Sequence, residues 1–222
     1  MGVIICDSSS LISLSQTCNL DCLSYLTKKT SARFFITPAV EKEIVINPMN
    51  FTEHAFSAVR LKSKLSDGTL KVVAINAKAD FDRLNDLSNN LFSVNGKSLR
   101  IMHAGELECL AVYKKIGAAG SAIDEKTARL LVESPEKLLE SLKAEYHSKV
   151  QVNTEAAAKL GEILGGIKVI RSTEILAMAF EKGFFTQYGE LEENAFHAAV
   201  HAARNAGCSI TGKELTEYER MK

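Results

Sequence analysis

The chain has 222 residues, of which 46% are hydrophobic and 24% are charged, as in an ordinary globular domain. Its 27 basic and 27 acidic residues cancel, so it lacks the overall basic excess of many nucleic-acid-binding proteins. Local basic patches could still bind a nucleic acid. The apolar start is too short for a signal peptide, and no run is long enough to cross a membrane. Its five scattered cysteines form no CxxC pair, which argues against a disulfide framework or a structural zinc site. We therefore predict a cytoplasmic protein with no membrane segment.

Short apolar runs alternate with helical segments along the chain. The predicted strands are 3–6, 33–37, 70–75, 120–123 and 167–170. The predicted helices are 9–28 with a break near Asn19, 38–46, 51–65, 77–91, 104–116, 126–146 with an interruption near Pro135, 174–182 and 190–206. Strands separated by helices predict a mostly parallel sheet that is covered on both faces.

Two segments stand out from this alternation. Residues 133–164 are rich in Glu, Lys, Ala and Leu, which predicts a helical insertion within a single domain of residues 1–222. A surface or dimer-forming hairpin is the simplest role for this insertion. Asn95-Gly96 predicts a loop.

An acid follows each of two predicted strands. Asp7 ends the apolar run 3–6, and Asp124 follows residues 121–123. The carboxyl ends of parallel strands border the crevice in which open α/β sheets place their chemistry. Carboxylates held close together repel one another unless a cation or protons intervene, so this placement suggests a site for a hard divalent cation. Capping of the next helix is the alternative role for each aspartate.

Two predicted helices carry further acids beside their apolar faces. Glu41 and Glu43 flank the core face of helix 38–46, and Glu106 and Glu108 flank that of helix 104–116. Periodicity does not choose between the members of either pair. The residues themselves therefore indicate two strand-end aspartates together with one acid from each helix.

Five motifs in order give the chain a resemblance to a known family. They are Asp7-Ser8-Ser9 with Leu11-Ile12-x-Leu14, then Pro38-x-Val40-x-x-Glu43, Gly105-Glu106-x-Glu108 with Leu110-Ala111, Asp124-Glu125-x-x-Ala128-Arg129, and Val169-Ile170-x-x-Thr173-x-x-Leu176. In these motifs the chain resembles the PIN-domain proteins, in particular the prokaryotic single-domain branch of VapC-like ribonucleases. The resemblance touches nearly the whole chain, and its specificity lies in the order and spacing of the motifs.

The resemblance implies a three-layer α/β/α fold and a metal-dependent endoribonuclease that uses one or two Mg²⁺ or Mn²⁺ ions. Carried over residue by residue, the catalytic and metal-binding acids are Asp7, Glu43, Glu106 and Asp124. Supporting or substrate-binding positions are Ser8, Ser9, Glu108, Glu125, Thr127 and Arg129. The implied partners are an RNA substrate, a small antitoxin protein if the chain is the toxin of a toxin–antitoxin pair, and a second copy in a homodimer.

The chain departs from that branch in two places. Glu125 stands where a second aspartate is common, and the stretch between Arg129 and Gly166 is longer than usual.

Alternative roles remain open for the supporting residues. Helix capping is the alternative role for Ser8, Ser9 and Thr127, and a salt bridge to a pocket acid is the alternative for Arg129. The alternative for the whole chain is a catalytically inactive PIN-fold module that binds RNA or protein.

Overall fold

The computed structural model describes residues 2–221 of the chain. The strands are β1 (Val3–Cys6), β2 (Arg33–Ile36), β3 (Leu70–Val72), β4 (Phe92–Val94), β5 (Lys97–Ser98), β6 (Ala118–Ala122), β7 (Val150–Val152) and β8 (Val169–Ile170). The helices are α1 (Ser8–Gln16), α2 (Asp21–Lys29), α3 (Pro38–Glu41), α4 (Thr52–Ser66), α5 (Lys78–Asn89), α6 (Ala104–Tyr113), α7 (Lys126–Glu133), α8 (Pro135–Tyr146), α9 (Thr154–Leu164), α10 (Ser172–Glu181), α11 (Glu192–Asn205) and α12 (Gly212–Tyr218). None of these helices combines the length and apolarity that crossing a membrane requires.

Five strands form a parallel sheet in the order β3-β2-β1-β6-β8. The central strand β1 is buried along its whole length, as an apolar strand covered on both faces should be. Cys6 of β1 pairs with Ala122 of β6, and the amide of Asp7 donates to the carbonyl of Ala122 at 2.9 Å. The residues that follow β1 and β6 therefore lie side by side at the carboxyl edge of the sheet.

Eight of the twelve α-helices within residues 2–221 form two packed groups. One group contains α3, α5 and α6, of which α6 contacts β1 and β6. The other contains α1, α2, α4, α10 and α11, in which α10 contacts α1, α2 and α11. A buried apolar cluster draws on both groups and on the sheet. The predicted α/β fold, with a mostly parallel central sheet flanked by helices, is confirmed.

The predicted break in helix 9–28 is also confirmed. Cys18 adopts a φ of 60°, and the amides of Cys18 and Asn19 donate to the carbonyls of Ser15 and Leu14 at 3.3 and 2.9 Å. These two bonds and the left-handed residue close α1 with a Schellman motif. The chain can then turn into α2 without leaving the last carbonyls of α1 unpaired.

The predicted helix 38–46 forms, but its winding changes partway. Thr37 Oγ1 accepts from the amide of Val40 at 3.3 Å, and Pro38 occupies the first helical position, as a strong helix start requires. Over Lys42–Ile46 the helix widens into a π turn, a feature often found at functional sites. This turn carries Glu43.

A second, antiparallel sheet in the order β5-β4-β7 is not predicted by the sequence analysis. The expected loop at Asn95-Gly96 is the tight turn of the β4–β5 hairpin, with φ of 51° and 76° at its two residues. The segment 133–164 contains α8 and α9, and between them lies β7, which pairs with β4. The segment 133–164 is thus tied to the β4–β5 hairpin by backbone hydrogen bonds, and it contains a strand that was not expected.

Candidate acidic site

One serine hydroxyl joins the two strand ends that carry the aspartates. Ser9 Oγ donates to Asp7 Oδ2 at 2.6 Å and accepts from the amides of Asp124 and Glu125 at 3.0 and 3.3 Å. The amide of Ser9 also donates to Asp7 Oδ2 at 3.0 Å, so Asp7 caps the N-terminus of α1. The contact from the Ser8 hydroxyl to Asp7 Oδ1 is longer, at 3.4 Å. Capping therefore uses mainly one of the two carboxylate oxygens.

Glu43 reaches the same place from the π turn. Its Oε2 accepts from Ser8 Oγ at 2.8 Å, and its Oε1 accepts from the amide of Gly105 at 3.3 Å. A Cβ at position 105 would lie 2.6 Å from Glu43 Oε2, closer than such atoms approach in proteins. Glycine at position 105 therefore makes room for the Glu43 carboxylate. Glu43, and not Glu41, is the acid of this helix that faces Asp7.

Glu106 lies in the first turn of α6 and is only 6% exposed. Its Oε2 accepts from the amide of His103 at 2.7 Å. Burial is the largest cause that raises the pKa of Glu106 to about 8, and the negative charges of Asp7, Glu125 and Glu43 raise it further. Three carboxylates from three other segments therefore act on this one carboxyl group.

The pKa of Asp7 is raised as well. Burial is the main cause, and the charge of Glu43 adds to it, whereas hydrogen bonds from Ser9 and the amide of Ser8 oppose it. We call the group Asp7, Glu43, Glu106 and Glu125 the acidic site. Each member has an oxygen that accepts a hydrogen bond from the protein, and the four groups repel one another when ionised.

Asp124 directly precedes Glu125 in the chain, and its carboxylate is bound by Ser172. Its side chain is fully buried, Oδ1 accepts from the amide of Ser172 at 2.7 Å, and Oδ2 accepts from Ser172 Oγ at 2.6 Å. Asp124 thus links the end of β6 to the start of α10. Each of its two oxygens thus accepts one hydrogen bond from Ser172, just as each oxygen of Glu43 accepts one bond in the acidic site.

Two of the predicted supporting acids have structural contacts of their own. Glu125 caps α7, because its Oε2 accepts from the amide of Ala128 at 2.7 Å. Glu108 accepts from the amide of Ala39 at 2.7 Å and so holds the first turn of α3. Of the two candidates on α6, Glu106 faces the other acids and Glu108 faces α3.

The remaining predicted positions divide between the site and its surroundings. Ser8 and Ser9 hydrogen-bond the site carboxylates, as described above. The side chain of Thr127, in the first turn of α7, makes no hydrogen bond within residues 2–221. Arg129 pairs with Glu133 at 2.7 Å and also contacts the carbonyl of Ser209 at 3.4 Å. The expected salt bridge of Arg129 therefore goes to an acid outside the acidic site.

The sequence analysis missed two contributions to this geometry. Gly105 was noted only as part of a motif, although a glycine directly before a candidate acid is a signal for close approach. The bonds from Ser172 to Asp124 cross from the end of β8 to the end of β6, which no local sequence pattern shows.

The donor set of the acidic site fits Mg²⁺ or Mn²⁺. These hard cations take oxygen ligands, and all four side chains supply carboxylates. The mutual repulsion that raises the pKa of Glu106 is the interaction that a divalent cation would reverse. Within residues 2–221, however, no three His, Cys, Asp or Glu side chains stand ready around a common centre. Side chains that now accept internal hydrogen bonds would have to turn to hold an ion.

Comparison with known protein families shows the family to which the chain belongs. A family model described as a PIN domain matches residues 3–136, which is more than half of the chain. The chain therefore belongs to the PIN-domain family, whose members share a nuclease-type fold and are generally nucleases. Neither the comparison with curated proteins nor that with solved structures gives a match. The matched region contains all four residues of the acidic site and Asp124, whereas Ser172 lies outside it.

Proposed function

We propose that this protein is a metal-dependent endoribonuclease that hydrolyses RNA phosphodiester bonds at the acidic site. The observation that carries the proposal is the convergence of Asp7, Glu43 and Glu106 from three segments at the carboxyl ends of β1 and β6. Such a cluster costs free energy in a metal-free protein, because like charges are held together in a buried place. A cation-dependent reaction is a physical reason for a fold to keep this arrangement.

The residues can be given distinct roles in that reaction. When bound, one or two Mg²⁺ or Mn²⁺ ions would generate a nucleophile from water and offset the charge of the phosphate. We assign Asp7, Glu43 and Glu106 to hold them, with Glu125 at the border of the site. Ser8 and Ser9 orient the Glu43 and Asp7 carboxylates through their hydroxyl groups.

Asp124 stays a predicted ligand. Each of its oxygens accepts one bond from Ser172 and retains a further lone pair. We also assign it a positioning role, since its carboxylate ties the end of β6 to Ser172 and so fixes the amides of Asp124 and Glu125, which donate to Ser9 Oγ. Replacement of Asp124 should therefore act on both folding and activity, and replacement of Asp7 mainly on activity.

The test is cleavage of a labelled RNA by purified protein with added Mn²⁺ or Mg²⁺ and with chelator. We expect Asp7→Asn and Glu43→Gln to lose most of the cleavage while circular dichroism shows an unchanged fold. Glu108→Gln, which makes the same charge change outside the site, is the matched control and should retain activity. Full cleavage by the Asp7 variant, or undiminished cleavage in chelator, would contradict the proposal.

The rival function is a PIN-fold module that binds RNA or protein without turnover. The observation that favours it is the set of internal hydrogen bonds held by the site oxygens and by both oxygens of Asp124. RNA binding by the wild type, with no metal-dependent cleavage of any RNA tested, would support this rival.

The biological setting remains a proposal that rests on the family. As the toxin of a toxin–antitoxin pair, the protein should arrest growth when expressed alone, and a small protein encoded beside it should relieve the arrest. The Asp7→Asn variant should be harmless in the same assay. A cytoplasmic homodimer is proposed on the same basis, and sedimentation measures its mass directly.

A further inference from the structure

A cleft of about 210 Å³ opens next to the acidic site. It lies between α1, the π turn with the residues after it, and α4. The lining residues are Ile12, Gln16, Glu43, Ile44, Pro48, His54 and Ser57. The Glu43 carboxylate belongs both to this lining and to the acidic site. Whatever occupies the cleft therefore lies one side chain away from the proposed place of reaction.

Two exposed polar side chains at this cleft have no hydrogen-bond partner among the described residues. Gln16 is the last residue of α1, and His54 lies in the first turn of α4. Neither side chain makes a hydrogen bond within residues 2–221. Ser57, by contrast, donates to the hydroxyl of Ser15 at 2.8 Å. A carboxamide and an imidazole from two different helices are thus left free above an apolar floor that includes Ile12 and Pro48.

We propose that this cleft takes one unstacked base of a single-stranded RNA and that Gln16 and His54 determine which base is preferred. The inference rests on the proposed function, because it places the base beside the phosphodiester that reaches the acidic site. A carboxamide offers a donor and an acceptor together, the combination that reads the edge of a base. Sequence-specific RNA-binding proteins commonly take unstacked bases of single strands in this way.

Size and charge both favour a base over other occupants. The cleft is smaller than the roughly 300–1,000 Å³ of pockets that hold drug-sized molecules, so it suits a single ring system. A base is uncharged and tolerates the nearby Glu43 carboxylate, whereas a second phosphate would be repelled by it. The apolar floor provides the contact surface that a flat ring requires.

The test measures binding without cleavage. Short labelled oligo-A, oligo-C, oligo-G and oligo-U are titrated by fluorescence anisotropy in chelator, so that the result does not depend on catalytic activity. We expect the wild type to bind one of them at least about tenfold more tightly than the weakest, a difference of about 1.4 kcal/mol. Gln16→Leu and His54→Leu should each reduce that preference to about threefold or less.

Glu53→Gln is the matched control, because residue 53 is exposed beside His54 on α4 and does not line the cleft. It should keep the base preference of the wild type. Thermal melts of all variants check that the fold is retained. As a second measurement, cross-linking with 4-thiouridine RNA followed by mass spectrometry should label peptides that contain Gln16 or His54.

Several outcomes would overturn the inference. These are equal binding of all four oligonucleotides, absence of RNA binding, a preference that survives both leucine substitutions, or cross-links confined to other regions. Base preference without metal-dependent cleavage would support the cleft and contradict the nuclease, whereas cleavage without base preference would contradict the cleft alone.

Discussion

Replacing Glu106 with glutamine should remove much of the pH dependence of stability in metal-free protein. Burial, assisted by the charges of Asp7, Glu125 and Glu43, raises the pKa of this carboxyl group from an ordinary 4.5 to about 8 in the folded protein. Between these values the folded state binds more protons than the unfolded state. Stability therefore falls as the pH rises through this range.

The size of the effect follows from the same two pKa values. At about 1.36 kcal/mol per pKa unit, Glu106 alone lowers stability by about 2 kcal/mol at about pH 6 and by about 4 kcal/mol at about pH 8. The wild type should thus lose about 2 kcal/mol between these two conditions. Glutamine does not titrate and still offers an oxygen to the amide of His103, so Glu106→Gln should lose much less.

The assay is urea unfolding of both proteins at the two pH values in chelator. Unfolding is monitored by far-ultraviolet circular dichroism, because the chain contains no tryptophan whose fluorescence could report it. Glu108→Gln serves as the control, because it removes a carboxyl group from the same helix but lies against α3. It should keep the wild-type slope. If Glu106→Gln showed the same loss of stability with pH as the wild type, the account of a crowded, buried carboxyl group would be refuted.

Three further predictions concern the contacts around the acidic site. Gly105→Ala should displace the Glu43 carboxylate and reduce cleavage at least tenfold in an RNA cleavage assay. Urea unfolding should show little loss of stability, because the displaced atoms are the end of a flexible side chain; wild-type cleavage would show that the close approach is unimportant. Ser172→Ala should cost about 1–3 kcal/mol because it removes a donor from the buried Asp124 carboxylate, and an unchanged unfolding midpoint would contradict this. Mn²⁺ should raise the melting temperature of the wild type but not that of Glu43→Gln. When the Mn²⁺ concentration is a hundred times its dissociation constant, the wild type should gain about 2.7 kcal/mol of stability. Equal shifts of the melting temperature in both proteins would place the ion elsewhere.

The sequence was informative where local patterns decide the structure. A buried apolar run followed by an acid located Asp7 and Asp124 at neighbouring strand ends, because strand position follows from burial. The hydroxyl and proline at Thr37-Pro38 defined the start of α3. Asn95-Gly96 carried the signal of a two-residue hairpin turn as well, but the short flanking strands made it read as a plain loop.

The direction of each acidic side chain could not be read from the same patterns. Glu106 and Glu108 flank one apolar stripe, and their roles separate only because α3 packs against α6 and its first turn takes Glu108. Asp124 was expected to face Asp7, but its carboxylate meets Ser172, which is 48 residues further along the chain. Contacts at that separation depend on how whole elements pack, and periodicity within one element does not contain them.

The bond between Asp124 and Ser172 has a consequence for how the protein can be divided. The part that matches the family ends at residue 136, yet the fifth strand of the sheet and the donors for the Asp124 carboxylate come from residues beyond it. A fragment cut at that boundary would expose one edge of the sheet and leave a negative charge without its two donors. A shortened version of the protein should therefore keep the residues from β8 to the start of α10 together with the matched region.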